Sequence, residues 1–382
     1  MIVDLHAHYP MHLDPEKRYA RGHMLKWESE RVRALIIRIA SIVYKNYGGP
    51  DDEPSVTVES MRKGDVGVAL SMLYEPLNEF EKPFGGKPEP EYYDAILRQL
   101  KEVEDDIRTK HARDARTVHT RKELEDCLND GLLAIVHAVE GGFQLGVKPA
   151  EIDKNVAELA QRGVAYVTLA HLFFRQVATN APALPEFSDR CYERLFPQPK
   201  EGLTAIGRAA VKAMYDHRML VDITHMSERS IADTFALLDE LDEDKGHPVI
   251  AGHIACRFGP LSYDVTDATI ERVADRNGVL GVIDSQHLIT KRDNGNASDK
   301  TFDDTAGLIF EQIDHIHEVT GSYENIGIGS DLDGFATPSL VGLKSSGDMR
   351  ELQERIRKQY GPQTAEKICS GNALRVLQAR FP

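Results

Sequence analysis

Cysteine is scarce in this chain. Four residues in 382, Cys127, Cys191, Cys256 and Cys369, stand apart with no CxxC or comparable spacing. That excludes a disulfide framework and a cysteine-type zinc site, and the four read as reduced thiols of the core or surface. No apolar run approaches the ~20 residues that cross a bilayer. A basic region followed by an apolar run and a cleavage site is also missing from the start, so a cytoplasmic protein without a membrane partner is expected. Positive charge is in short supply too: 46 Lys and Arg against 61 Asp and Glu give a formal net charge of −15 and a pI near 5.5. Nucleic acids and anionic surfaces reward basic patches, so neither is expected as a partner. No low-complexity segment or interdomain linker divides the chain. What remains is a small-molecule substrate, and the sequence leaves room for a homodimer.

What is present is ample apolar material, 41% hydrophobic residues beside 28% charged ones, enough to bury a large core. Eight short apolar runs recur along the chain: IVDLH at 2–6, VGVALSML at 66–73, LLAIVHAVE at 132–140, VAYVTLAH at 164–171, MLVDITH at 219–225, PVIAGH at 248–253, GVLGVID at 278–284 and IGIGSD at 326–331. Between them lie amphipathic helical patterns such as AEIDKNVAELAQR, SERSIADTFALLDEL and AGLIFEQIDHIHEV. Eight strands alternating with helices predict an α/β fold of the TIM (β/α)8 type. A plain barrel takes about 250 residues. The surplus is therefore expected as helical insertions at about 10–62 and 75–120, on the C-terminal face of a single domain spanning 1–382. The first carries ESERVRALIIRIASIVYKNY, the second EYYDAILRQLKEVEDDIRTK, and the polar tract KRDNGNASDK at 291–300 reads as a mobile loop.

The ends of the predicted strands carry the chemistry. His6 and His8 end or follow the first strand, Glu140 the third, His171 the fourth, His225 the fifth, His253 the sixth and Asp331 the eighth. In a parallel barrel all these ends open on one mouth, so seven side chains would ring one pocket. A lone histidine is more often a core or surface residue, but independent histidines have no reason to gather at strand C-termini. Neutral imidazoles and carboxylates are the donors that zinc and its neighbours accept. His6 and His8 are assigned to one divalent ion, His225 and His253 to a second, and Glu140 to a bridge between them. Such a pair would sit about 3.5–4 Å apart and share a hydroxide at neutral pH. Asp331 is assigned to proton transfer from that nucleophile to the leaving amine, and His171 to substrate contact and donation to the oxyanion. His137, three residues before Glu140, is expected to face away from the mouth. Asp222 and Asp4 are expected either to support the ligands from behind or to pair with backbone or solvent, and Asp333 and Gly334 to shape the loop after the last strand.

With these residues in hand, the chain resembles the membrane (renal) dipeptidase family, the M19 peptidases of the amidohydrolase superfamily. The resemblance rests on DLHAH, VEGGFQLG around Glu140, VTLAH at His171, GLTAIGRAAVKAMYDHRMLVDITHMS leading to His225, PVIAGH at His253, IGIGSDLDGF around Asp331 and GNALRVL near the C-terminus. It implies a binuclear zinc barrel that hydrolyses small dipeptides, with a D-residue tolerated on the C-terminal side. It also implies the roles already given to Glu140, His171 and Asp331. Two departures stand out. Family members usually carry DxHxD at the first strand, and here His8 replaces the second aspartate, which keeps a ligand but removes a negative charge. The family also usually has a paired-arginine stretch about eleven residues after the last histidine ligand, receiving the substrate carboxylate; RFGPLSYD has no arginine at that point, and Arg257 is the substitute. Competing readings are an amidohydrolase acting on another small amide, N-acyl amino acid or lactone, and a metal-binding barrel without catalysis.

Overall fold

The computed structural model describes residues 1–13, 54–80, 86–184, 187–292, 295–296, 300–334 and 339–381. All eight apolar runs form strands: β1 Ile2–Ala7, β2 Val66–Leu73, β4 Leu133–Glu140, β5 Val164–Thr168, β6 Leu220–Asp222, β7 Val249–Ile254, β8 Val279–Val282 and β11 Ile326–Ile328. They pair in parallel in the order β2, β1, β11, β8, β7, β6, β5, β4, and β2 pairs directly with β4, closing the barrel. Register across that closure runs from Val68 opposite Ala134 to Leu73 opposite Val139.

The pleat explains why these strands read as almost unbroken apolar runs. Residues of one parity, among them Val3, Leu5, Val68, Leu70, Ala134, Val136, Leu220 and Ile250, fill the barrel interior. Those of the other parity, such as Ile135, Val139, Val167, Val249 and Ile328, meet the surrounding helices. Both faces are covered, so both carry hydrophobic side chains. The expected helices follow at Pro149–Gln161, Glu228–Leu241 and Phe302–Thr320. Several helices begin at a hydroxyl cap, including Thr57, Thr120, Thr204, Ser227, Thr266 and Thr301, each accepting a bond from the amide three residues on. No helix among the described residues is long and apolar enough to cross a membrane.

Three features were not foreseen. A ninth strand, β3 Ala115–Thr117, lies within the second insertion and pairs with the start of β4; three residues with a central arginine carry no apolar run to betray it. The tract read as a mobile loop contains a small antiparallel ribbon, β9 Lys291–Arg292 with β10 Gly295–Asn296. Strands β5, β6 and β11 stop short, leaving His171, His225 and Asp331 each three residues past a strand end. The second insertion does hold the expected helix, Glu91–Lys110, which packs against the mouth turns Tyr9–His12 and Gly142–Leu145 and against β3. The helical stretch foreseen in the first insertion lies outside the described residues, which there comprise its two ends and the helix Val58–Lys63.

A buried histidine beneath the barrel carries a pH prediction. His247, just ahead of β7, is fully buried, with Nε2 3.0 Å from the Met219 carbonyl oxygen. Burial, reinforced by the Arg380 charge, pushes its pKa from the ordinary 6.5 to about 3. Between those values the unfolded chain binds a proton that the folded chain refuses, so stability is present above pH 6.5 and lost as pH falls. Urea unfolding at pH 7 and pH 5 should show this acid loss, with a maximum slope of about 1.4 kcal/mol per pH unit for this one group. The His247→Gln variant, which retains a donor toward Met219, should show a shallower slope.

Candidate active site

At the mouth, the side chains assigned from sequence converge around one carboxylate. Glu140 ends β4 with its inward parity, and it is buried with neither oxygen hydrogen-bonded among the described residues. Five imidazole Nε2 atoms surround it. Those of His6, His225 and His253 lie 3.3, 3.6 and 3.8 Å from Oε1, and those of His8 and His171 lie 3.5 and 3.4 Å from Oε2. The histidines pair as their sequence positions suggest: His6 and His8 Nε2 atoms are 3.2 Å apart, His225 and His253 3.0 Å. Ligands at about 2.0–2.1 Å on one tetrahedral zinc are separated by about 3.3–3.4 Å, so each pair is already near the span of two donors on one ion. A carboxylate with two bare oxygens among five ring nitrogens is a donor set that fits two divalent ions.

The electrostatics agree. Burial alone would neutralise Glu140, but His171, His6 and His8 outweigh it and hold the carboxyl well below its usual range. Burial, together with neighbouring imidazoles, drives His225 and His253 well below 6.5, so both present neutral lone pairs. His6 is disfavoured as a cation by burial but favoured by Glu140, and the balance is upward. Its tautomer is fixed from behind. Tyr166 OH donates to the Leu5 carbonyl oxygen at 2.6 Å, so it accepts from His6 Nδ1 at 3.0 Å, which leaves Nε2 free to ligate.

The backbone around these histidines is held by two buried aspartates, which take the backbone-pairing alternative. Asp4 accepts from the amides of His6 and Ser330 and from the Ser330 hydroxyl. Asp222 accepts from the amides of Thr224 and Gly252 and from the hydroxyls of Thr224 and Thr168. Each therefore ties the loop after one strand to its neighbour. His225 and Asp331 themselves sit at φ of 63° and 56°, a left-handed conformation that side chains other than glycine seldom adopt. That conformation, three residues past the ends of β6 and β11, turns both side chains into the mouth. Asp331 Oδ1 stands 3.0 Å from His8 Nε2 and 3.7 Å from His6 Nε2. Gly334 makes room for this: a Cβ there would fall 2.2 Å from Asp331 Oδ1. Asp333, as expected, shapes the loop, accepting from the amides of Ser55 and Val56. His137 points to the outer wall, also as expected.

A residue that the sequence did not reveal completes the group. Glu79, in the short helix Pro76–Phe80 after β2, is fully buried, and its Oε2 lies 2.6 Å from His171 Nδ1 and 2.6 Å from Tyr74 OH. Its Oε1 accepts from the Phe173 amide. Burial opposes charge on His171, but Glu140 and Glu79 together raise its pKa to about 9. With Nδ1–H directed at Glu79, only the imidazolium keeps a proton on Nε2, the atom facing the site. Replacing Glu79 with glutamine should therefore lower the His171 pKa and move the alkaline limb of the pH–activity profile to lower pH. The expected loss is about 10–100-fold in kcat/KM at neutral pH, with metal content unchanged, as judged by steady-state kinetics and elemental analysis. No motif marks Glu79 in YEPLNEF; Tyr166 at least left a hint, as a polar tip within the apolar strand VAYVT.

Beside His171, His225 and Asp331 opens a narrow pocket, walled further by Leu184, Tyr263 and His287. Arg257 is not brought there. Its Nε and one terminal nitrogen donate to the carbonyls of Asp264 and Ser262, and the other pairs with Glu228, so the guanidinium ties down its own loop. The substitution of this residue for the carboxylate clamp is thus corrected: backbone carbonyls near at hand satisfy its fork. Among the described residues that line the cavity, the basic side chains are histidines.

Comparison with known proteins supports one family. The family model for membrane dipeptidase, peptidase family M19, matches residues 2–380. An uncharacterized dipeptidase of Schizosaccharomyces pombe is 32% identical over 214 residues, 55% of this chain but only 45% of that protein, so the match spans under half of that relative. A dipeptidase of Aspergillus terreus is 24% identical over 333 residues, 84% of this chain and 75% of its own length. A metallo peptidase from Rhodobacter sphaeroides, solved with a phosphinate mimic of the dipeptide L-Ala-D-Ala, superposes with a TM-score of 0.72 at 18% identity, covering 100% of this chain and 99% of that one. At that identity the likeness establishes the fold. With the family pattern running from the first strand to the last helix, the chain belongs to the membrane dipeptidase family, peptidase family M19.

Proposed function

We propose that this protein is a metal-dependent dipeptidase whose centre holds two divalent ions, zinc by preference, with Glu140 between them. The observation that carries the reading is the bare, buried Glu140 carboxylate within 3.3–3.8 Å of five imidazole Nε2 atoms. His6 with His8 would hold one ion and His225 with His253 the other, and the mixed nitrogen and carboxylate donor set suits a borderline metal such as zinc. When bound, such a pair supplies an activated water at neutral pH and polarises the scissile carbonyl.

The chain's own groups do the rest. Asp331, held at the mouth by the turn at its own φ and by the Asp331 amide bond to the His6 carbonyl, takes the proton of the attacking water. It then returns that proton to the leaving amine, so no free amide anion forms. His171, kept charged by Glu79, donates from Nε2 to the carbonyl oxygen as that atom gains charge. The neighbouring pocket, on the side of Tyr263 and His287, lies where a substrate would meet both His171 and Asp331. The four unpaired cysteines are in keeping with a reducing compartment and so with a cytoplasmic enzyme.

A second reading has its own support. Arg257 is occupied elsewhere, and the described cavity lining offers histidines rather than a guanidinium to a substrate carboxylate. That favours a small amide or lactone without a free carboxylate over a dipeptide or an N-acyl amino acid, both of which carry one. The test is release of free amino acids from a panel of L,L and L,D dipeptides by zinc-loaded protein. Release that Asp331→Asn abolishes supports the dipeptidase. Silence toward every dipeptide, in protein shown to hold its metal, favours the second reading if amides or lactones are cleaved. Silence toward those as well leaves a barrel that binds metal without catalysis.

A further inference from the structure

On the outer wall of the barrel, away from the mouth, a second group of metal-type donors meets. His137 projects from the outward face of β4, Glu104 from the helix Glu91–Lys110, and His119 from the turn between β3 and the helix Arg121–Asn129. One donor atom from each lies within 4.8 Å of the others. Glu104 Oε1 is 3.0 Å from His119 Nε2 and 4.0 Å from His137 Nε2.

The two histidines are in unusual positions for ordinary packing. His137 is 0% exposed, and neither ring nitrogen has a hydrogen-bond partner among the described residues. A buried imidazole in that condition forfeits the hydrogen bonds that water gave it unless something else takes its lone pair. His119 is oriented from the far side: Glu123 Oε2 accepts from its backbone amide at 2.7 Å and lies 3.2 Å from Nδ1. Its Nε2 faces the Glu104 carboxylate, at the same oxygen that approaches the unpartnered His137 Nε2. A metal cation among the three would draw a donor from each and so meet the unpartnered His137. A carboxylate behind a ligating histidine is the usual support of such a ligand.

We propose that Glu104, His119 and His137 form a second, separate metal site of the zinc class. Three protein donors with a fourth, solvent-facing position match a tetrahedral borderline ion, and nickel or copper would compete for the same donors. Access is open, because Glu104 and His119 are about one-third exposed while His137 is sealed. The ion would clip the helix Glu91–Lys110, which packs against the mouth turns, to the strand that carries Glu140 three residues further on.

This site is independent of the one at the mouth, so its test is a difference. Equilibrium dialysis of the full chain against low-micromolar free zinc should show one ion per chain fewer in Glu104→Gln and in His119→Asn than in the wild type. Both changes are at half-exposed positions, and their circular dichroism should match that of the wild type. His137→Leu, which fills the pocket without a ligand, should lose the same single equivalent. Equal zinc content in the wild type and the two half-exposed variants would overturn the proposal, whatever number the mouth holds.

Discussion

Replacement of Glu140 by glutamine is expected to lower kcat/KM by about 10³-fold and to reduce the metal retained at the mouth. The carboxylate is the one anion within 3.8 Å of all five imidazole Nε2 atoms, with Oε1 beside His6, His225 and His253 and Oε2 beside His8 and His171. Glutamine keeps the shape but offers one neutral oxygen and an amide nitrogen that cannot ligate. Metal assistance is worth several kcal/mol, and each 1.36 kcal/mol is tenfold in rate. The same substitution also removes the charge that, with Glu79, holds His171 up at about 9, so the donor proposed for the oxyanion would weaken together with metal binding. Kinetics and elemental analysis on dialysed protein check both effects. A variant with full metal content and near-normal turnover would show that Glu140 does not bridge.

The second large effect is expected from Asp331→Asn, and it differs in kind. Asp331 stands 3.0 Å from His8 Nε2, near the ions' expected place, yet Glu140 and the four ring nitrogens already furnish a donor set without it. Its loss should cost about 10²–10⁴-fold in kcat, the range for a positioned general acid–base group, while KM and metal content stay close to the wild-type values. An asparagine neither accepts the proton of water nor delivers one to an amine. A fall in metal content instead of kcat alone would make Asp331 a ligand and take the proton-transfer role from it.

Much of this site was legible because a parallel barrel turns sequence position into spatial position. Strand ends are separated by tens of residues along the chain but share one rim, so DLHAH, Glu140, THMS at His225 and AGH at His253 meet without further information. The apolar runs were plain because both faces of each strand are covered. What failed to show were features that depend on tertiary neighbours. The strand Ala115–Thr117 is too short and too polar to carry a pattern. Glu79 lies in the insertion after β2, and only the folded chain brings it 2.6 Å from a histidine 92 positions later. The left-handed turns at His225 and Asp331 gave no glycine to announce them. Arg257 misled because an arginine near a missing clamp is chemically suitable, whereas its actual partners are carbonyls a few residues along the same loop.

His8 in place of aspartate is the departure with the most consequence for the metal. A neutral imidazole replaces a carboxylate, so the site as drawn carries one anion fewer at the first strand and leans toward softer ions in the borderline range. Its Nε2 reaches both Glu140 and Asp331, which places the substitution at the centre of the site.

The most direct test of the central claim is anomalous X-ray scattering from crystals of the zinc-loaded protein, recorded on either side of the zinc edge. Two peaks are predicted, one beside each oxygen of Glu140, about 3.5–4 Å apart, with His6 and His8 around one and His225 and His253 around the other. A single peak at the mouth, or peaks with Glu140 outside bonding distance of both, would contradict the bridged two-ion centre.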